Sequence, residues 1–181
     1  MNRSPYTGTA ILLHWLIALL ILVNLGLGIS FDYLAKESMG PVMGVHKSIG
    51  LLVLLLSLWR VGLRISAGFP ALPAAMPEFE RVLARGTHVV FYGLMLLLPL
   101  SGWVMSSAAG RGIRWFGLFD WPLLPVHGNA AAGAASETHE ILAWILVATL
   151  LLHVAGALKH HFLDRDDVLA RMLPFLRPRR P

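Results

Sequence analysis

Five of the eight histidines in this 181-residue chain sit inside or at the mouth of long apolar runs, and His14, His46, His139 and His153 lead among them, with His88 the fifth. Ionisable side chains in such surroundings are expensive to keep there and by default do something. A neutral imidazole is a metal ligand, a proton carrier or a hydrogen bonder, and spacing narrows the choice. His139 and His153 are fourteen residues apart. On a helix that returns to nearly the same face, about 21 Å further along the axis. One helix therefore presents two imidazoles, one towards each end, and His46 and His14 are available to answer them. The remaining chemical inventory is short. With no Cys, disulfides, iron–sulfur clusters, thiolate zinc sites and covalently attached c-type haem are excluded. His139-Glu140 opens like H-E-x-x-H, but Ala143 stands at the last position, so no zincin site forms. No G-x-S-x-G, P-loop or Rossmann fingerprint occurs in a suitable context, and no side chain is assigned a catalytic role.

The elements that must position these histidines are membrane helices. The chain is 56% apolar and 14% charged, against about 25% charged in average soluble domains, and its mean hydropathy is +0.67. A spanning helix needs about 20 mainly apolar residues. Four runs meet that need: Ala10–Ile29, Val45–Leu63, His88–Met105 and Ile141–Leu158. Little is left besides connections and a basic tail, 159–181, so a single membrane domain covers residues 1–181 and leaves no room for a soluble catalytic one. The first run is long for a signal h-region and holds a histidine. It reads as a mature helix.

Charge placement sets the orientation. Arg3, Arg60, Arg64, Arg81, Arg85, Lys159, Arg165, Arg171, Arg177, Arg179 and Arg180 fall on one side. Only Lys36, Lys47, Arg111 and Arg114 fall on the other. Both termini are expected in the cytoplasm, with loops 30–44 and 106–138 outside. The net charge of +5 reports topology and lipid headgroups, not nucleic acid. Residues 65–85, with Pro70, Pro73 and Pro77, read as an extended linker ending in a short amphipathic approach to the third span. The outer loop holds the small-residue stretch Gly128–Ala135 and the aromatics Trp115, Phe116, Phe119 and Trp121, which read as an interfacial belt.

Depth pairs the histidines. His14 and His153 lie about 6–8 Å from the inner surface, and His46 and His139 lie at the outer one. Two bis-histidine haem sites stacked across a four-helix bundle satisfy this pattern, since bundle cores hold cofactors between facing helices. Filling both axial positions favours electron transfer over oxygen activation. A proton relay or a metal transporter would use the same residues. His88, at the edge of the third span and about 6 Å shallower, competes for the inner site. His160 lies at headgroup depth as a candidate for a quinone or a haem propionate, while His127 and His161 read as interfacial or solvated. Lys47, Arg111 and Arg114 outside, and Arg60 and Arg64 inside, are candidates for propionate contacts, with lipid phosphate as the alternative partner.

The same residues carry a resemblance. The chain resembles the bacterial cytochrome b561 family over nearly its whole length. The match runs through His14-Trp15, H-K-S-I-G at His46–Gly50, W-R-V-G-L-R at Trp59–Arg64 and P-L-S-G-W-V-M at Pro99–Met105. It continues through Thr138–Glu140, Leu152–Val154 and Lys159–Pro174. The resemblance implies an all-α, four-transmembrane-helix bundle of the bacterial inner membrane enclosing two b haems. It places the outer iron between His46 and His139 and the inner iron between His14 and His153, and implies electron exchange with ubiquinone. Some members resemble superoxide oxidases, which pass an electron from superoxide outside to ubiquinone. Others are membrane subunits handing on electrons for a partner dehydrogenase or hydrogenase.

Overall fold

The apolar runs become four helices, each longer than its run. The computed structural model describes residues 6–68, 72–73, 76–173 and 175–176. Helix α1 is Gly8–Ser30, α2 is Lys36–Ala67, α3 is Glu78–Ala108 and α4 is Asn129–Lys159. All four are long and apolar enough to cross a membrane. In lipid every backbone polar group must be satisfied within the protein, and a continuous helix does this residue by residue. α2, α3 and α4 have 32, 31 and 31 residues. At 1.5 Å per residue each is about 47 Å long and overshoots a 30 Å hydrocarbon slab.

The overshoot corrects the expected loops. The connection 30–44, on the side that charge placement assigns to the outside (the outer side), shrinks to one 3-10 turn, Phe31–Tyr33, and two further residues before α2 starts at Lys36. Pro41 lies in the second turn of α2, where its missing N–H costs one backbone bond close to a helix end. The stretch Gly128–Ala135 is mostly helix, because α4 begins at Asn129. Alanine is the best helix former, and Gly128 takes the positive φ of 109° that starts the helix. At the inner end α2 stops at Gly68, with φ 73° and its N–H on the Arg64 carbonyl. The amphipathic approach to the third span is the first part of α3, capped by Pro77 and opened by Glu78 and Glu80. Pro70 lies outside the described residues, as do Arg3, Arg177, Arg179 and Arg180.

Between α3 and α4 the chain forms an antiparallel hairpin, β1 Ile113–Trp115 with β2 Phe119–Trp121, pairing Trp115 with Phe119. Its turn puts both Phe116 (φ 47°) and Gly117 (φ 75°) in the left-handed region, which a primed hairpin turn requires. The phenylalanine is held there because its N–H donates to Ser48 Oγ at 2.9 Å. The hairpin aromatics pack on one another and on α3: Trp115 lies 5.4 Å from Phe119, and Trp121 lies 5.8 Å from Trp103 of α3.

Consecutive helices pack together, α1 on α2, α2 on α3 and α3 on α4. The densest core joins α1, α2 and α3 through Leu13, Ile17, Ile49, Val53 and Met95. After α4 the chain turns back, and the Trp15 indole of α1 donates to the Met172 carbonyl at 2.8 Å. Ser48 is fully buried and also donates to Gly44. Ser48→Ala leaves the Phe116 N–H without its acceptor, at a cost of about 1–3 kcal/mol. A lower thermal midpoint in detergent, with faster hydrogen exchange confined to the hairpin, is the expected result.

Candidate cofactor sites

The helix ends set the histidines in register. His14 follows the start of α1 by six residues and His153 precedes the end of α4 by six. His46 and His139 each lie ten residues into their helices, α2 and α4. The result is two imidazole pairs. His14 and His153 face each other with ring centres 6.2 Å apart, and His46 and His139 do the same at 6.2 Å. A metal bound by two imidazoles from opposite sides, at about 2 Å per bond with each ring centre roughly 1 Å behind its nitrogen, separates the centres by about 6 Å. Both pairs fit that requirement.

The backbone agrees. Helix α4 packs closely on α3 but makes no comparable approach to α1 or α2. Its two histidines reach across the space that separates it from them. A non-covalent porphyrin needs facing imidazoles in apolar surroundings, and the two pairs supply the imidazoles.

Hydrogen bonds orient the outer pair. His46 Nδ1 lies 3.2 Å from the Asn24 carbonyl, and His139 Nδ1 lies 3.0 Å from the Leu98 carbonyl. An N–H donated from Nδ1 to a carbonyl leaves Nε2 bare, the tautomer that ligates. Ser101 Oγ also lies 3.0 Å from His139 Nδ1. Gly102 makes room for the ring, since a Cβ there would stand 3.2 Å from its Cε1. These second partners were not singled out in the sequence. The only signal was the Ser101–Gly102 interruption after Pro99.

The inner pair is framed differently. Neither His14 nor His153 forms a hydrogen bond among the described residues. His14 meets Trp15 edge-on at 5.2 Å, and His153 meets Phe91 at 5.3 Å. His88 joins this group, 5.6 Å from His153, with Nδ1 turned to its own helix at the Ala84 carbonyl, 2.6 Å away. The structure thus brings three inner histidines together, and the 6.2 Å pair is the one that repeats the outer geometry.

The expected cations divide. Arg60 is 9% exposed and donates to the Ala10 carbonyl of α1. Arg64 lies over the Tyr6 ring at 4.9 Å and donates to Gly68. Lys47 is half-buried beside His46 and makes no ion pair among the described residues. His160 enters an ion cluster: Nδ1 is 2.7 Å from Asp166 and 3.1 Å from Asp164. Lys159 in the same cluster reaches Glu80 at 3.0 Å and Asp164 at 2.7 Å. Glu80 is 79 positions from Lys159, and no local pattern announces such a contact. His127 is exposed, and His161 meets Phe162 edge-on at 4.8 Å.

Comparison with known proteins agrees with this architecture. The family model for prokaryotic cytochrome b561 matches residues 5–175. Cytochrome b561 homolog 2 of Escherichia coli (strain K12) is 36% identical over 163 residues, 88% of this chain and 86% of its own. A cytochrome b562 of Cereibacter sphaeroides is 32% identical over 186 residues, covering 99% of this chain and all of its own. A protein of Yersinia pestis described as probable superoxide oxidase CybB is 29% identical over 177 residues, 95% of this chain and 97% of its own.

With its ring committed to acidic partners, His160 is expected to matter for stability more than for cofactor retention. His160→Ala should lower stability by about 1–3 kcal/mol through lost charge-assisted bonds and leave the haem-to-protein ratio of the purified protein unchanged. A fall in haem content would return His160 to the cofactor.

Proposed function

This chain belongs to the prokaryotic cytochrome b561 family, whose b-type haem and membrane electron transfer it shares, and we propose that it carries electrons between the outer surface and the quinone pool through two haem centres. The observation that carries this reading is the repetition of one geometry at two depths: facing imidazoles with centres 6.2 Å apart at both ends of the gap beside α4.

In the proposal His46 and His139 hold the outer iron, and His14 and His153 hold the inner one. Haem supplies a one-electron couple when bound. The four histidines would hold the haem irons and their apolar surroundings would exclude water, and iron held by two imidazoles would be suited to electron transfer over small-ligand chemistry. Arg60 and Arg64 are the proposed inner propionate contacts and Lys47 the outer one. Ubiquinone is the proposed partner in the bilayer. Lys47, Arg111 and Arg114 form a cationic outer surface, and together with the likeness to a probable superoxide oxidase they support superoxide as the outer electron donor. The protein is proposed to lie in the bacterial inner membrane with both termini in the cytoplasm, from the basic excess on that side. A second reading, a membrane subunit receiving electrons from a partner redox protein, is favoured by the hairpin that covers the outer end of the bundle.

The reduced-minus-oxidised spectrum of the purified protein is expected to show b-type bands at two haems per chain. His46→Ala should remove one haem and leave the other. His14→Ala should remove the inner haem and His88→Ala should retain it, and the reverse pattern would reassign the inner ligand. Stopped-flow mixing with superoxide should reduce the isolated protein and then added ubiquinone. Reduction only after a co-purifying partner is supplied would favour the second reading.

A further inference from the structure

The two imidazole pairs are built on different supports, and the difference bears on how readily each centre takes an electron. Outside, both rings are tied through Nδ1 to backbone carbonyls of neighbouring helices, Asn24 of α1 and Leu98 of α3. The α3 support is a small assembly. Ser101 Oγ donates to the Leu98 carbonyl at 2.7 Å and stands 3.0 Å from His139 Nδ1. Gly102 leaves the ring its place, with a Cβ there 3.2 Å from Cε1 and 3.3 Å from Nδ1. Inside, neither His14 nor His153 has such a tie among the described residues.

An imidazole that donates its second N–H to a carbonyl becomes a more basic ligand, and a more electron-donating ligand stabilises the oxidised metal. Ligand hydrogen bonding and burial are levers on haem potential. The charges act in the same direction. Arg60, 9% exposed and close to His14 and His88, favours the reduced form of an inner centre. Lys47, the cation beside His46, is half exposed and is screened by water and salt.

We propose that the Leu98–Gly102 segment of α3 is a positioning seat for His139, and that through it the outer centre has the lower midpoint potential of the two. The inference rests on the ligand reading given under Proposed function. Leu98, Ser101 and Gly102 act through His139, not on a substrate.

The test is a redox titration of the full-length haem-loaded protein in nanodiscs, followed optically and by EPR. Wild type should give two one-electron waves. Gly102→Ala should push the His139 ring off its carbonyl, raising the lower wave alone and shifting one low-spin EPR signal. Gly28→Ala is the control, because a Cβ there meets His46 Cε1 at an ordinary 3.5 Å, and both waves should stay in place. Should Gly102→Ala fail to fold, Ser101→Ala is expected to move the lower wave alone, with Ser101→Thr restoring it. Movement of the upper wave, or of neither, overturns the seat while leaving the two-centre reading intact. A wild type with two haems per chain but a single wave overturns this inference and leaves the two-centre reading intact, whereas fewer than two haems per chain overturns both.

Discussion

Everything in this bundle follows from the cost of placing an imidazole in hydrocarbon. A ring nitrogen there has no water to bond, so it must find a carbonyl, another polar side chain or a metal. The outer histidines find carbonyls with one nitrogen, Asn24 for His46 and Leu98 for His139, and their rings face each other with centres 6.2 Å apart. This fixes where α4 stands. It is packed on α3 but held off α1 and α2, at the separation that two imidazoles and one metal ion require. The spacing of the helices thus goes with the two facing imidazole pairs, and the apolar side chains fill in around them.

Lipid tails are as apolar as leucine, so burial of hydrophobic surface does little to hold membrane helices to one another. Polar contacts at the two surfaces supply what the middle lacks. At the outer end the hairpin is tied to α2 through Ser48 and Phe116 and to α3 through Trp103, whose indole donates to the Pro122 carbonyl at 2.9 Å. At the inner end Lys159, the last residue of α4, joins Glu80 in the first turn of α3 to Asp164, five residues beyond α4. A carboxylate at a helix start and an ammonium at a helix end also suit the two macrodipoles. Trp15 bonding to Met172 draws the chain after α4 onto α1. Apolar rows such as Leu12, Leu16 and Leu19 on α1 are left outward, as a lipid-facing surface should be.

What could be read in the sequence was what depends on periodicity and depth. Twenty apolar residues in a row mean a span whatever their neighbours do, and fourteen residues between His139 and His153 mean one face of one helix. The segments outside hydrocarbon were harder. Lys36–Gly44 and Gly128–Ala135 look like loops because they hold charges, Pro41 and glycines, yet water outside the slab lets a helix continue as long as its propensity allows. Alanines at 130–132 do allow it. The hairpin was hidden because its left-handed Phe116 is stabilised by Ser48, 68 positions away. Glu80 and Lys159 were equally unreadable, since a salt bridge between distant segments leaves no local spacing.

The candidate sites divide along the same line. The histidines that pair could be named because each lies in a helix whose rise converts sequence number into height. Their supports could not, because Asn24 and Leu98 contribute backbone carbonyls that any residue carries. Gly102 shows why the second kind of information needs a structure. Glycine in a membrane helix is ordinarily read as a surface for close helix packing, and Gly26, Gly44 and Gly93 have nothing within 4 Å of a built Cβ. Gly102 differs only in what stands opposite it, the His139 ring at 3.2 Å. Its meaning belongs to the pair of helices, not to the residue. The His139 ring of α4 is oriented by the Leu98 carbonyl of α3, one residue before Pro99, so the two helices with the closest packing in the bundle also determine how that ring is held.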